Sequence, residues 1–338
     1  MIQIATTTSQ LDVIAKAQRV RLRYPRALAV VEELERCRAY TPVQSEPRCM
    51  LLTGESGVGK SEVIEWHCRA HPPRPGIEAD VRPIVSVKVP EAATCKQVAQ
   101  QILDELGAVY RDAARLATLT RQIARLTREL GIEQFIIDEV QHLVKHIDSH
   151  KTLVASDWFK TLINETKASV VLVGMPEARA VIACNPQLAR RVRIRLALER
   201  FSWTRREKEF IGVLRILGKE LPFAANVNLQ ERGTAARMFL STHGNMSALM
   251  SVLLECVTQC VEDDKPYITT EMLRETALRL LDQARANDCD PWEMSVADVE
   301  ERICRLIEPA NPEAKDEGKT DKSKTGGRHA ARASTPSA

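Results

Sequence analysis

The octapeptide "GESGVGKS", Gly54 to Ser61, sets three glycines, a lysine and a hydroxyl at a spacing that suits a triphosphate. Gly54, Gly57 and Gly59 permit backbone angles that turn successive N–H groups inward around phosphate oxygens. Lys60 would contact the β- and γ-phosphates, Ser61 would offer its hydroxyl to Mg2+, and the remaining loop residues Glu55, Ser56 and Val58 would complete the wrap around ATP. The apolar run "FIIDEVQH" (135–142) ends in a second reactive set. Asp138 is placed to hold Mg2+ through water, and Glu139 to orient and deprotonate the water that attacks the γ-phosphate. Aspartate also caps helices, so this pair takes its meaning from the phosphate loop. A third set is "NPQLARRVRIRLAL" (185–198), in which Arg190 and Arg191 are either a solvated basic turn or a cation offered to a neighbouring subunit's γ-phosphate.

Such groups act only on a scaffold that holds them together. "RCMLLTG" reads as a short buried strand leading into the loop, and "EVIEWHCRA" has helical spacing after it, so the helix presents its positive end to the same anion. Further strands are expected at 83–89, 133–138, 169–174 and 192–198, separated by helical segments, the signature of a parallel sheet covered on both faces. Residues 11–40 read as helix, with Pro25 suited to a first turn. After Phe201 the pattern is helical at 204–217, 229–241, 246–262 and 270–286. The expected fold is α/β: a P-loop parallel sheet sandwiched by helices, followed by a small all-helical lid. The expected division is a helical segment (1–45), a nucleotide-binding α/β domain (46–201), a helical lid (202–308) and a charged tail (309–338) too poor in apolar residues to fold.

Composition narrows the class. With 338 residues, 44% of them hydrophobic but only 4% aromatic, the chain suits helix-rich layers around a modest sheet. Nine cysteines, odd in number and with no CxxC pair, point to reduced thiols and a cytoplasmic setting. Cys256 with Cys260, and His67, Cys68 with His71, lack the paired spacings of a four-ligand zinc site, and read as small buried side chains and a solvated helix end. The N-terminus does not read as a secretory signal and no apolar run is long enough to span a membrane. A net charge of +3 does not by itself demand a nucleic-acid partner.

The phosphate loop, "FIIDEVQHL", "VVLVGMPEA", "NPQLARRVRIRLALERF" and "STHGNMSALMSVL" together resemble the AAA+ ATPases, and within them the TniB/TnsC family of transposition regulators, over roughly residues 20–285. That resemblance implies an ATP- and Mg2+-dependent adaptor that assembles with itself as a ring or filament on double-stranded DNA. It further implies a DDE-type transposase and a TniQ-like target-selection protein as partners, with Arg191 first and Arg190 second as the finger in trans. The sequence departs from the superfamily twice: "VGMPEA" has no polar γ-phosphate sensor after the fourth strand, and "HGNMSALM" lacks the lid arginine. Slow, partner-dependent hydrolysis is the expectation that follows.

Binding to duplex DNA without sequence preference needs cations facing phosphates. Lys96, Arg115, Thr118 and Arg121 occupy the part of the fold that resembling proteins turn toward DNA, and Arg125 and Arg128 continue the helical recurrence. The rival readings are an oligomeric signalling or defence P-loop ATPase that scaffolds proteins without DNA, for which no appended sensor or effector is legible, and a loader or remodeller working mechanically.

Overall fold

The computed structural model describes residues 8–20, 23–76, 80–144, 149–222, 227–281 and 290–306. The apolar runs become β1 (Met50–Thr53), β2 (Ile84–Lys88), β3 (Gln134–Asp138), β4 (Ser169–Gly174) and β5 (Ile194–Ala197). All pair in parallel, in the order β2-β3-β4-β1-β5. β1, β3 and β4 are buried at every position, because inner strands of a parallel sheet are covered on both faces. The two-residue alternation divides their side chains between two cores. Met50, Leu52, Ile136, Val171 and Val173 enter one, while Leu51, Phe135, Ile137, Val170 and Leu172 enter the other.

The second of these cores is closed by α4 (Cys95–Glu105), α5 (Leu116–Glu129) and α6 (Ser149–Thr166), with the short α7 (Arg179–Ala183) and α8 (Pro186–Arg191) behind. α4 starts where Thr94 and Gln97 cap each other reciprocally: the Gln97 N–H donates to Thr94 Oγ1 and the Thr94 N–H to Gln97 Oε1. The first core is covered by α2 (Pro25–Tyr40) and α3 (Lys60–Ala70), and it runs on without a break into the C-terminal helices. Pro25 opens α2 as its residue type suits, and the helix is preceded by α1 (Thr8–Gln18) rather than joined to it in one run.

Four expected helices appear after β5: α9 (Trp203–Glu220), α10 (Arg232–Thr242), α11 (Met246–Glu262) and α12 (Thr270–Leu280). The sheet-plus-bundle architecture therefore matches the expectation. Among the described residues a further helix, α13 (Val296–Leu306), was not anticipated; it buries Val299 and Ile303 against α10, and Arg232 pairs with Glu300 at 2.7 Å. Rings of Tyr24, Phe201, Phe210, Trp203 and Phe239 pack with centroids 5.1 to 6.4 Å apart, tying the chain before α2 to the bundle. α1 lies on α11, where Gln10 donates to the Val261 carbonyl at 3.0 Å. Both cysteines of α11 are buried, as read. The charged tail expected from 309 lies outside the described residues. Among the described residues no helix is long and apolar enough to cross a membrane.

Candidate nucleotide site

Register brings the chemistry to one edge of the sheet. Thr53 pairs with Gly174 and Ala197, and Lys88 with Asp138, so the carboxyl ends of all five strands line up where the phosphate loop begins. Open parallel sheets bind their ligands at that edge. Gly54 passes so close to the Leu198 carbonyl that a Cβ would lie 2.2 Å from its oxygen, so no other residue fits. Gly59 takes φ +100° to turn the loop into α3.

Lys60 is the first residue of α3, and its ammonium donates to the carbonyls of Gly54 (2.7 Å) and Glu55 (2.8 Å). Burial pulls its pKa down, against the opposing pull of Asp138, Glu139 and Glu55. Ser61 Oγ stands 3.5 Å from Asp138 Oδ2. Burial pushes the Asp138 carboxyl up, while the Glu139 N–H, donating to its Oδ1 at 2.8 Å, lowers it. A carboxylate penalised by burial, a hydroxyl beside it and a lysine resting on carbonyls that phosphate oxygens can replace fit a magnesium triphosphate. The cavity here encloses about 410 Å³. It is lined by the loop, Lys60, Ser61 and Glu139, and by apolar side chains from three separate segments, Val20 with Tyr24 and Ala27, Trp66, and Met250 with Leu254.

Glu139 sits in the left-handed region (φ 60°, ψ 36°), which aims its side chain away from the strand axis. The Gln141 amide donates to its Oε2, Lys88 Nζ lies 3.8 Å from Oε1, and His142 Nε2 lies 3.9 Å from Oε2. Gln141 Oε1 in turn accepts from the Met175 N–H at 3.0 Å, occupying the space that a Cβ on Gly174 would take. The end of β4, where a polar sensor is missing, is thus bonded to Glu139 through an amide supplied by β3's own loop. Sequence reading missed Gln141 and Lys88, because nothing in their spacing marks them.

The lid meets the loop through backbone. Asn245 caps α11 by accepting from the Ala248 N–H (3.1 Å) and donates to the Ser56 carbonyl (2.9 Å), and the Ser247 N–H donates to the Gly57 carbonyl (2.8 Å). In a trans peptide the C=O and the following N–H point in opposite directions. Holding the carbonyls of Ser56 and Gly57 outward therefore turns the N–H groups of Gly57 and Val58 toward the phosphate side. Asn245 was also missed; only its fit to a capping position hints at it.

Arg190 and Arg191 end α8, ahead of Ile194, which pairs with Met50 at the start of β1. They lie at the amino edge of the sheet, separated from the chain's own phosphate loop by a strand length on the order of 10 Å. Arg191 Nη1 is 3.8 Å from Glu46 Oε1, and both arginines line a second cavity with Arg48 and Arg193. Arg115, Thr118 and Arg121 are exposed, the last two on the side of α5 that also carries Arg125 and Arg128. Lys96 is half-buried and donates to the Asp112 carbonyl (2.6 Å), in the link that leads to Arg115. The helix end at His67 is not solvated as expected: His67 is 1% exposed, because α2 and β3 pack over it.

An all-parallel sheet in this strand order, with the phosphate loop after β1, an acidic pair at the tip of β3 and a helical region beyond, defines a P-loop fold of the AAA+ class. The chain is similar to the Aeropyrum pernix ORC1 protein, in a structure in complex with DNA, with TM-score 0.58 at 13% identity over 79% of this chain and 69% of that one. It is similar to the ORC2 protein of the same organism, in ADPNP–ADP complexes, with TM-score 0.57 at 12% identity over 85% and 81%. Cdc6p from Pyrobaculum aerophilum gives 0.55 at 13% identity over 79% and 71%. No curated protein matches the sequence. The chain belongs to the bacterial TniB family, whose model matches residues 13–203.

Proposed function

We propose that the chain is an ATP-dependent regulator of transposition, working in the bacterial cytoplasm, which assembles with its own copies on double-stranded DNA. It would link a TniQ-like target-selection protein to a DDE-type transposase. Family membership supports the biological role, and the similarity to a protein solved in complex with DNA supports the choice of nucleic acid. One observation carries the mechanism: the phosphate loop and Asp138 lie at one edge of the sheet, and Arg190 and Arg191 at the other. In this reading a subunit would not finish its own site. Arg191, with Arg190 second, would reach the γ-phosphate of an adjoining subunit, so nucleotide occupancy and assembly become one event.

In this reading the backbone N–H groups of the loop bind the phosphates and Lys60 moves from the loop carbonyls onto them. Ser61 and Asp138 would hold Mg2+, which when bound neutralises charge on the transferring phosphoryl group. Glu139 would take the proton of the attacking water. Its carboxylate is engaged by the Gln141 amide and faces Lys88, which supports slow basal turnover and a timing role. The exposed face of α5, with Lys96 and Arg115 beside it, would follow the DNA backbone. Sedimentation with random-sequence duplex tests the proposal: ATP should drive the wild-type chain into the pellet, and Lys60→Ala should abolish this. A chain that stays monomeric with both ligands present refutes it, and ATP-driven assembly indifferent to DNA would favour the protein scaffold instead.

A further inference from the structure

Away from the phosphate loop, at the opposite end of α3, three ligand atoms converge, one from α2, one from α3 and one from the residue that caps α3. His71 Nε2 lies 2.7 Å and His67 Nδ1 3.9 Å from the same oxygen, Oε2 of Glu35, and the three atoms all fall within 4.8 Å of one another. The chemistry of His67 can be derived from its neighbours. Gln134 donates through Nε2 to the Leu34 carbonyl (3.0 Å), so the amide oxygen is what faces His67 Nε2 at 2.8 Å, and an oxygen only accepts. The proton of the neutral ring must therefore sit on Nε2. That leaves a lone pair on Nδ1, in a side chain 1% exposed, aimed at a carboxylate oxygen. These two acceptors face each other 3.9 Å apart, while Oε2 also takes the 2.7 Å contact of His71 Nε2, so a cation that filled the gap would take the place of the proton His71 shares with the carboxylate.

We propose that Glu35, His67 and His71 form a binding site for a divalent transition-metal ion of the zinc class, with water as the fourth ligand. Two imidazoles and one carboxylate are a donor set that zinc takes, and ligands at about 2.0–2.1 Å in a tetrahedron stand about 3.3 Å apart, between the two spacings seen here. The surroundings are those of a built site. The Nε2–H of His67 is anchored on the Gln134 amide, the outer-shell bond that fixes the tautomer of ligating histidines. Glu35 is held by Arg38, whose Nη2 takes Oε1 and whose Nε lies 3.1 Å from Oε2, while Arg38 itself is balanced by a second carboxylate, Glu133. His71 is about one quarter exposed, which gives the ion and its water a way in. An ion here would staple α2 to the end of the helix that begins with Lys60, and it requires nothing of the nucleotide reading.

Sequence spacing drew attention to His67 and His71 but not to the third ligand, because Glu35 lies on another helix. The test uses the full chain with the exposed Cys184 and Cys304 changed to serine, freed of metal by chelation and then dialysed against Zn2+ or Co2+. Bound metal is measured by elemental analysis, and the visible absorption of Co2+ reports its geometry. The expected result is one ion per chain with tetrahedral Co2+ bands, weakened more than about tenfold in His71→Ala and in Glu35→Gln, the loss that removing even an outer-shell partner can cause. Absence of binding by the folded chain, or equal stoichiometry and bands in both variants, overturns the proposal. Should either variant fail to fold, the protection of His71 by Zn2+ against diethyl pyrocarbonate in the otherwise wild-type chain decides: protection supports the site and its absence refutes it.

Discussion

Asn245 offers a way to separate the stability of the lid from its action on the phosphate loop. Its side chain makes two bonds of different kinds: Oδ1 caps α11 by accepting from Ala248, and Nδ2 donates to the Ser56 carbonyl. Losing an N-cap costs about 1 kcal/mol, and losing one neutral hydrogen bond costs about 1 kcal/mol more. Asn245→Ala removes both and should destabilise the chain by about 2 kcal/mol. Asn245→Asp keeps the cap, since aspartate serves there as well as asparagine, but sets an acceptor against the Ser56 carbonyl. Both variants release the peptide plane that turns the Gly57 N–H inward, so both should lose roughly fivefold in ATP affinity, the equivalent of about 1 kcal/mol. Only the alanine variant should show the further drop in stability. Urea unfolding measures the first quantity, and anisotropy of a fluorescent ATP analogue the second. Equal unfolding midpoints for the two variants, or wild-type affinity in Asn245→Asp, would refute the idea that the lid sets the loop through this side chain.

Further expectations concern the reacting groups and the thiols. Lys60→Ala should lose ATP binding and assembly together, whereas Glu139→Gln should bind ATP normally and hold its assemblies longer; filter binding and sedimentation distinguish them, and equal loss in both would tell against separate roles. Arg191→Ala subunits mixed with Glu139→Gln subunits should regain some ATP turnover, and no recovery at any ratio would exclude action in trans. Gln141→Ala frees the Glu139 carboxylate and should raise basal turnover severalfold, about 1 kcal/mol of restraint released; a fall in turnover at unchanged ATP affinity would mean that Gln141 aims Glu139 productively. Brief iodoacetamide treatment followed by mass spectrometry should label the exposed Cys184 and Cys304. It should spare Cys37 and Cys49, whose thiols burial pushes up to about 12, and Cys256, pushed up to about 11.

Much of the fold was legible because local signals and tertiary demands agree. The strands are short apolar runs bounded by polar or glycine residues, and β4 begins and ends at the expected residues. The phosphate loop carries its geometry in its glycines, so its place after β1 followed from residue type alone. α13 lies inside the span expected to be helical lid (202–308), yet no helix is read there although Val296, Val299, Ile303 and Leu306 recur at helical steps, because the polar residues after 286 break the run of helical pattern. The contacts that tune the site were illegible for another reason. Gln141 meets Met175 across 34 residues and Asn245 meets Ser56 across 189, and no local pattern encodes such a pairing. The Glu35, His67 and His71 cluster belongs with these, since its third ligand is brought in by the packing of α2 on α3.

The two departures from the superfamily pattern acquire a common physical sense in this arrangement. An arginine in the lid would touch the nucleotide directly and report its charge. Here the lid instead grips the carbonyl side of two successive loop peptides, through Asn245 and the Ser247 N–H, so it answers to the shape of the loop. In the same way the end of β4 carries no polar side chain toward the phosphates, yet its Met175 N–H is bonded through Gln141 to the carboxylate of Glu139. Both links run through backbone groups, which survive any substitution other than proline at an N–H donor, and each also uses one amide side chain. A loop that binds triphosphate must reorient the Ser56 and Gly57 peptides or find them already turned. If binding reorients them, its free energy would be shared with the docking of α11, on which α1 also packs. Coupling of that kind requires a differential contact in the two states, which the bonds to the Ser56 and Gly57 carbonyls would supply if binding reorients those peptides.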